Sequence, residues 1–105
     1  AWTLLAGCQA AVHDTAKATY EARCAQCHGD AGHGDGPLAR KLPDSPTRFT
    51  APGWRRSVDS VYVSRVIALG GSHVGISPLM PAAADIASDD RLLTELTEFV
   101  LELGK

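Results

Sequence analysis

The clearest hydrophobic pattern lies at the end of the chain, where Leu92, Leu96, Phe99, Val100 and Leu103 recur at helical spacing between polar and charged residues. Ser88 or Asp89 is placed to cap this helix, and Gly104 to end it. An earlier helix is expected over Thr15–Cys24, with Asp14 as N-cap and Ala16 and Tyr20 on one face at i, i+4. A third pattern, Val58, Val61, Tyr62, Arg65, Val66 and Leu69, predicts a helix from Ser57, with Ser57 as N-cap and Gly70 as stop. Its β-branched residues would also suit a strand, and Asp59 in the first turn favours the helix. Residues 29–53 are rich in Gly and Pro and predict a long irregular segment. The fold class read from this pattern is all-α, with terminal helices that each present one apolar face and would cross.

A chain of 105 residues is one small domain. It holds only two Trp, two Tyr and two Phe, so its core is poor in large side chains. Small domains of this kind commonly gain the missing volume or restraint from a metal, a disulfide or an embedded cofactor. The net charge of -2 excludes a generic nucleic-acid footprint. Charge is nevertheless uneven. Arg40, Lys41, Arg48, Arg55, Arg56 and Arg65 make residues 36–66 basic, whereas residues 82–105 are acidic. No apolar run approaches the roughly 20 residues of a membrane span.

Cys24-Ala25-Gln26-Cys27-His28 spells C-x-x-C-H. Two thiols three residues apart on one helical turn can add to the two vinyl groups of a haem, and the adjacent imidazole then lies under the iron. A zinc site would also use both thiolates and His28, but it needs a fourth ligand from His13, His33 or His73. A thioredoxin-like redox pair would want a strand before the motif, where the pattern here reads as helix. The haem reading demands either a second axial ligand or an open iron. Met80 is the single methionine, and Pro78 and Pro81 stiffen the loop that carries it. His73 is the rival ligand, on a glycine-flanked turn.

These residues resemble a small bacterial monohaem cytochrome c of the His/Met type over about Thr15 to Gly104. The run Gly29-Asp30-Ala31-Gly32-His33-Gly34-Asp35-Gly36-Pro37 is similar to the glycine-rich turn that follows the attachment motif, and Leu79-Met80-Pro81 to the ligand loop. The resemblance implies crossed N- and C-terminal helices, a middle helix, and long loops wrapping one haem c attached through Cys24 and Cys27. It implies His28 and Met80 as iron ligands, and a Pro37 carbonyl accepting the Nδ1 proton of His28. It also implies a contact of Tyr20 with Leu96 or Phe99. Trp54 is expected at a haem propionate or, equally, as a core anchor; Arg40, Arg55 and Arg56 are the basic residues near that edge, with Arg55 and Arg56 expected to be solvated. Tyr62 is a candidate for the haem face near the methionine sulfur.

The implied function is a periplasmic one-electron carrier, monomeric, shuttling electrons between redox proteins, without nucleic-acid partners and not an enzyme. Alternatives are an open-iron haem enzyme or gas-binding domain, a zinc module, and an electron-relay subunit of a larger complex. Cys8 is left over once the haem takes the other two cysteines. Leu5-Ala6-Gly7-Cys8 resembles a bacterial lipoprotein processing site, so residues 1–13 are read as an export-signal remnant and linker, and 14–105 as the cytochrome c domain. A lipid on Cys8 would attach the domain to a membrane; the alternative is an incidental cysteine.

Overall fold

A computed structural model describes residues 15–105, and the expectations for Asp14, Cys8 and the 1–13 segment lie outside the described residues. Residues 15–23 are helical (α1), followed after Cys24 by a single turn, Ala25–His28 (α2). Further on come Trp54–Ser57 (α3), Ser60–Leu69 (α4), Ala84–Ala87 (α5) and Asp90–Leu103 (α6). Two 3-10 turns, Ala39–Lys41 and Gly71–Val74, interrupt the connections. No strand occurs among the described residues, in keeping with the all-α expectation.

Helix α6 follows its pattern. The Asp89 carboxylate accepts the Leu92 N–H at 3.1 Å, which decides the cap in favour of Asp89, and Gly104 closes the other end. Ser88 instead donates its hydroxyl to the Asp85 carbonyl at 2.8 Å. Leu96 is fully buried, with Val100 and Leu101 beside it. Helix α1 meets α6 through Tyr20, whose ring centroid lies 5.1 Å from that of Phe99.

The middle helix begins later than its sequence predicts. Ser57 closes α3, donating its hydroxyl to the Trp54 carbonyl at 2.7 Å, and Val58 is extended. Asp59 is the N-cap of α4, its carboxylate accepting the Tyr62 N–H at 2.8 Å. The charged oxygen of Asp satisfies an otherwise orphaned amide, and it displaces Ser57 from that role. The buried face of α4 is also corrected. Val63 and Ile67 enter the core, whereas Val61 and Leu69 are exposed. The core, formed around Tyr20, Phe49, Val63, Ile67, Ile86, Leu96 and Val100, draws α4, α5 and α6 together.

Candidate haem cavity

The C-x-x-C-H motif consists of Cys24 and the turn α2, and the glycine-rich segment after it folds back over that turn. The carbonyls at the end of a helix have no partner within it. Here loop amides supply them: Leu38 N–H reaches Gln26 O at 2.8 Å, Gly36 N–H reaches Cys27 O at 3.1 Å, and Gly34 N–H reaches His28 O at 2.7 Å. Such close return requires Gly36, because a Cβ there would collide with the carbonyls of Ala25 and Gln26. Gly29 leaves the motif turn at φ +82°, a left-handed conformation that suits glycine, and its carbonyl accepts the Tyr20 hydroxyl at 2.7 Å. Burial, with Cys24, Asp30 and Asp35 adding to it, pushes the Tyr20 phenol well above its ordinary pKa, so it remains a donor.

His28 is held from two directions. Its ring stacks on Phe49 with centroids 4.5 Å apart, and Phe49 in turn packs against Trp54 at 4.9 Å. Its Nδ1 lies 3.0 Å from the carbonyl oxygen of Thr47. This corrects the expectation for Pro37. The stretch before Phe49, tied back by Phe49 N–H to Gly32 O at 2.8 Å, brings Thr47 to the imidazole, while Pro37 is exposed. A carbonyl can only accept, so Nδ1 carries the proton and Nε2 keeps its lone pair. Burial lowers the His28 pKa, and the Thr47 bond only partly opposes this, so the ring is neutral at neutral pH.

Cys24, Cys27, His28 and Met80, although up to 56 positions apart in the chain, all line one cavity of about 350 Å³. Its walls are largely apolar. Val63 and Ile67 of α4, Ile86 of α5 and Val100 of α6 serve both this cavity and the core. Cys24 and Cys27 are free thiols, and burial pushes the Cys24 thiol up to about 11, so it is uncharged at neutral pH. Trp54 and Tyr62 also line the cavity, and Tyr62 stays partly exposed with Ile76 and Leu79 at its mouth.

The Met80 loop is built by its glycines and prolines. Gly70 turns out of α4 at φ +85° and Gly71 N–H donates to the Met80 carbonyl at 2.9 Å. A Cβ on Gly71 would strike the Ser77 carbonyl and come 3.1 Å from the Met80 Cβ. Ala83 N–H then returns the chain to Ile67 O at 3.0 Å. His73 is exposed on the 3-10 turn and is not part of the cavity wall. His33 is engaged elsewhere, its Nδ1 2.8 Å from the Thr50 hydroxyl oxygen. Arg40 and Arg56 are exposed; Arg55, expected to be solvated, is half-buried beside Trp54, with an Nε that has no hydrogen-bond partner among the described residues.

Sequence reasoning missed Thr47, Phe49 and the Arg23–Asp85 ion pair. Of these only Phe49 carried a signal, as one of two phenylalanines in a chain short of aromatics. The donor set suits a covalently held haem. Two free thiols, one imidazole with its Nε2 lone pair and one thioether share an apolar cavity, and no group of three or more His, Cys, Asp or Glu side chains among the described residues is arranged to hold a metal ion by itself. No model of a known protein family matches this chain, and no curated protein matches it significantly.

Proposed function

We propose that this chain is a periplasmic one-electron carrier of the small cytochrome c type, holding one haem c and exchanging electrons with redox proteins as a monomer. The observation that carries the reading is the convergence of the C-x-x-C-H motif and the single methionine on one apolar cavity. Cys24 and Cys27 would hold the haem through thioethers, and His28 and Met80 would bind its iron. The bound haem would supply one-electron chemistry, its iron alternating between ferrous and ferric states.

The protein's own residues set the conditions for that chemistry. Thr47 keeps the His28 proton on Nδ1, which orients the ring and makes Nε2 the more basic donor. Phe49 limits rotation of the imidazole by stacking on it. A thioether from Met80 and apolar walls disfavour additional positive charge, which favours a relatively high potential. Trp54 is both a core anchor against Phe49 and a cavity residue, with an indole N–H that could serve a propionate of the bound group. Partners would approach the mouth at Tyr62, Ile76 and Leu79, where apolar side chains are exposed. No helix among the described residues is long and apolar enough to cross a membrane, and a lipid on Cys8 would attach the chain to one.

The test is expression with the c-type haem maturation machinery, followed by visible spectra and a redox titration. The expected product is red, keeps its pigment in acidified organic solvent, and when oxidised shows the methionine-to-iron charge-transfer band. Met80→Ala should remove that band and lower the potential, and Cys24→Ser with Cys27→Ser should release the pigment. A colourless product overturns the proposal, as does a Met80→Ala protein with an unchanged spectrum and potential.

A further inference from the structure

Arg23 and Asp85 join the two sides of the cavity. Arg23 is the last helical residue of α1, directly before Cys24, and lines the cavity. Asp85 belongs to α5, which begins four positions after Met80. Their contact is a fork: Arg23 Nη1 donates to Asp85 Oδ2 at 2.6 Å and Nη2 to Oδ1 at 3.1 Å. Other tethers of the methionine loop run the opposite way. Gly71 N–H to Met80 O, Ile76 N–H to Gly71 O and Ala83 N–H to Ile67 O all bind it to α4 and the 3-10 turn after it. The backbone therefore secures the loop on the α4 side, and the fork secures its exit to the helix that delivers the attachment motif.

Sequence context makes the pairing selective. Residues 60–84 contain no Asp or Glu, so Asp85 is the first carboxylate that the chain offers after Asp59. Both side chains remain substantially exposed, at 43% and 69%. Exposed ion pairs contribute little to global stability, but a bidentate Arg–carboxylate pair adds directional restraint. Its effect should therefore fall on the position of the loop more than on the folding of the whole chain.

Resting on the haem reading above, we infer that the Arg23–Asp85 fork is a clasp that positions Met80, setting how readily an external ligand takes the methionine's place. Asp85 is not among the residues lining the cavity, and the fork is a positioning element. Both residues act through the loop.

The experiment titrates the oxidised holoprotein with imidazole, following loss of the methionine charge-transfer band, in low and high salt. Arg23→Gln and Asp85→Asn are each expected to bind imidazole about threefold more tightly than the wild type at low salt. Salt should tighten imidazole binding to the wild type and leave both variants nearly unchanged. The exchanged pair, Arg23→Asp with Asp85→Arg, should restore the wild-type affinity, a result that a loss of packing would not give. Single variants that bind like the wild type overturn the clasp, and so does an exchanged pair that fails to restore. A wild type that has no charge-transfer band overturns the proposed function and the clasp together, whereas an intact band with unresponsive variants removes the clasp alone.

Discussion

At the residue scale, His28 and Tyr20 show how main-chain acceptors prepare the cavity. The Thr47 carbonyl selects the imidazole tautomer, and the Gly29 carbonyl takes the proton of a phenol that has no exposed surface. Tyr20→Phe keeps the ring against Phe99 but leaves the Gly29 carbonyl without its hydroxyl partner. That carbonyl still accepts the Gly32 N–H at 3.2 Å, so the loss is that of one hydrogen bond, about 1 kcal/mol, and the variant should unfold at lower denaturant with an unchanged slope. Equilibrium denaturation of the holoprotein measures it. The special geometry of Gly36 is of another kind. Its φ lies outside the left-handed range, and the closeness of the α2 carbonyls is what demands glycine there. A one-dimensional reading sees several glycines after the motif and has no means of telling which one is crowded.

At the scale of elements, the loop after α4 is the part on which the proposed ligation by Met80 depends. Gly71→Ala would drive a Cβ into the Ser77 carbonyl, and the loop must shift to accept it. The expected result is a protein that retains covalently bound haem but loses the methionine charge-transfer band, because the attachment side is untouched. The short helix α5 contributes a pH dependence. The hydrogen bond and charge of Arg23 hold the Asp85 carboxyl below its ordinary value of 3.8. A carboxyl depressed in the folded state adds stability that is complete above the unfolded value and is lost as pH falls through the folded one. Asp85→Asn should thus melt slightly below the wild type at neutral pH, and the gap should close in acid; melting curves recorded from pH 7 downward test this. Helices α4 and α6 were legible from period and capping residues. The face of α4 was not, because Val58, Val61, Tyr62, Val66 and Leu69 form as regular a stripe as the Val63 and Ile67 pair that is actually buried.

At the scale of the whole molecule, core and cavity share their walls. Val63, Ile67, Ile86 and Val100 pack with Tyr20 and Leu96 on one side and line the cavity on the other. Without the proposed haem, this apolar surface would face water in a domain that has few large side chains with which to compensate. Chain prepared without haem attachment, or with Cys24 and Cys27 both replaced by Ser, should therefore have less helix by circular dichroism and a broader, lower thermal transition than the holoprotein. An apoprotein with the same sharp transition as the holoprotein would show that the core is self-sufficient.

The amino-acid order alone determined the chemistry on offer: thiols at attachment spacing, an adjacent imidazole, one proline-flanked thioether, and helices whose periods and caps are local properties of neighbouring residues. Tertiary structure decided which distant groups meet. It selected Thr47 over Pro37 as the partner of His28, joined Arg23 to Asp85 across 62 positions, and brought Met80 to the wall that the motif also lines. The physical reason is that every residue carries a carbonyl and several carry a charge of the right sign. Side-chain identity marks these groups as able to pair, and only the path of the folded backbone determines which of them come within bonding distance.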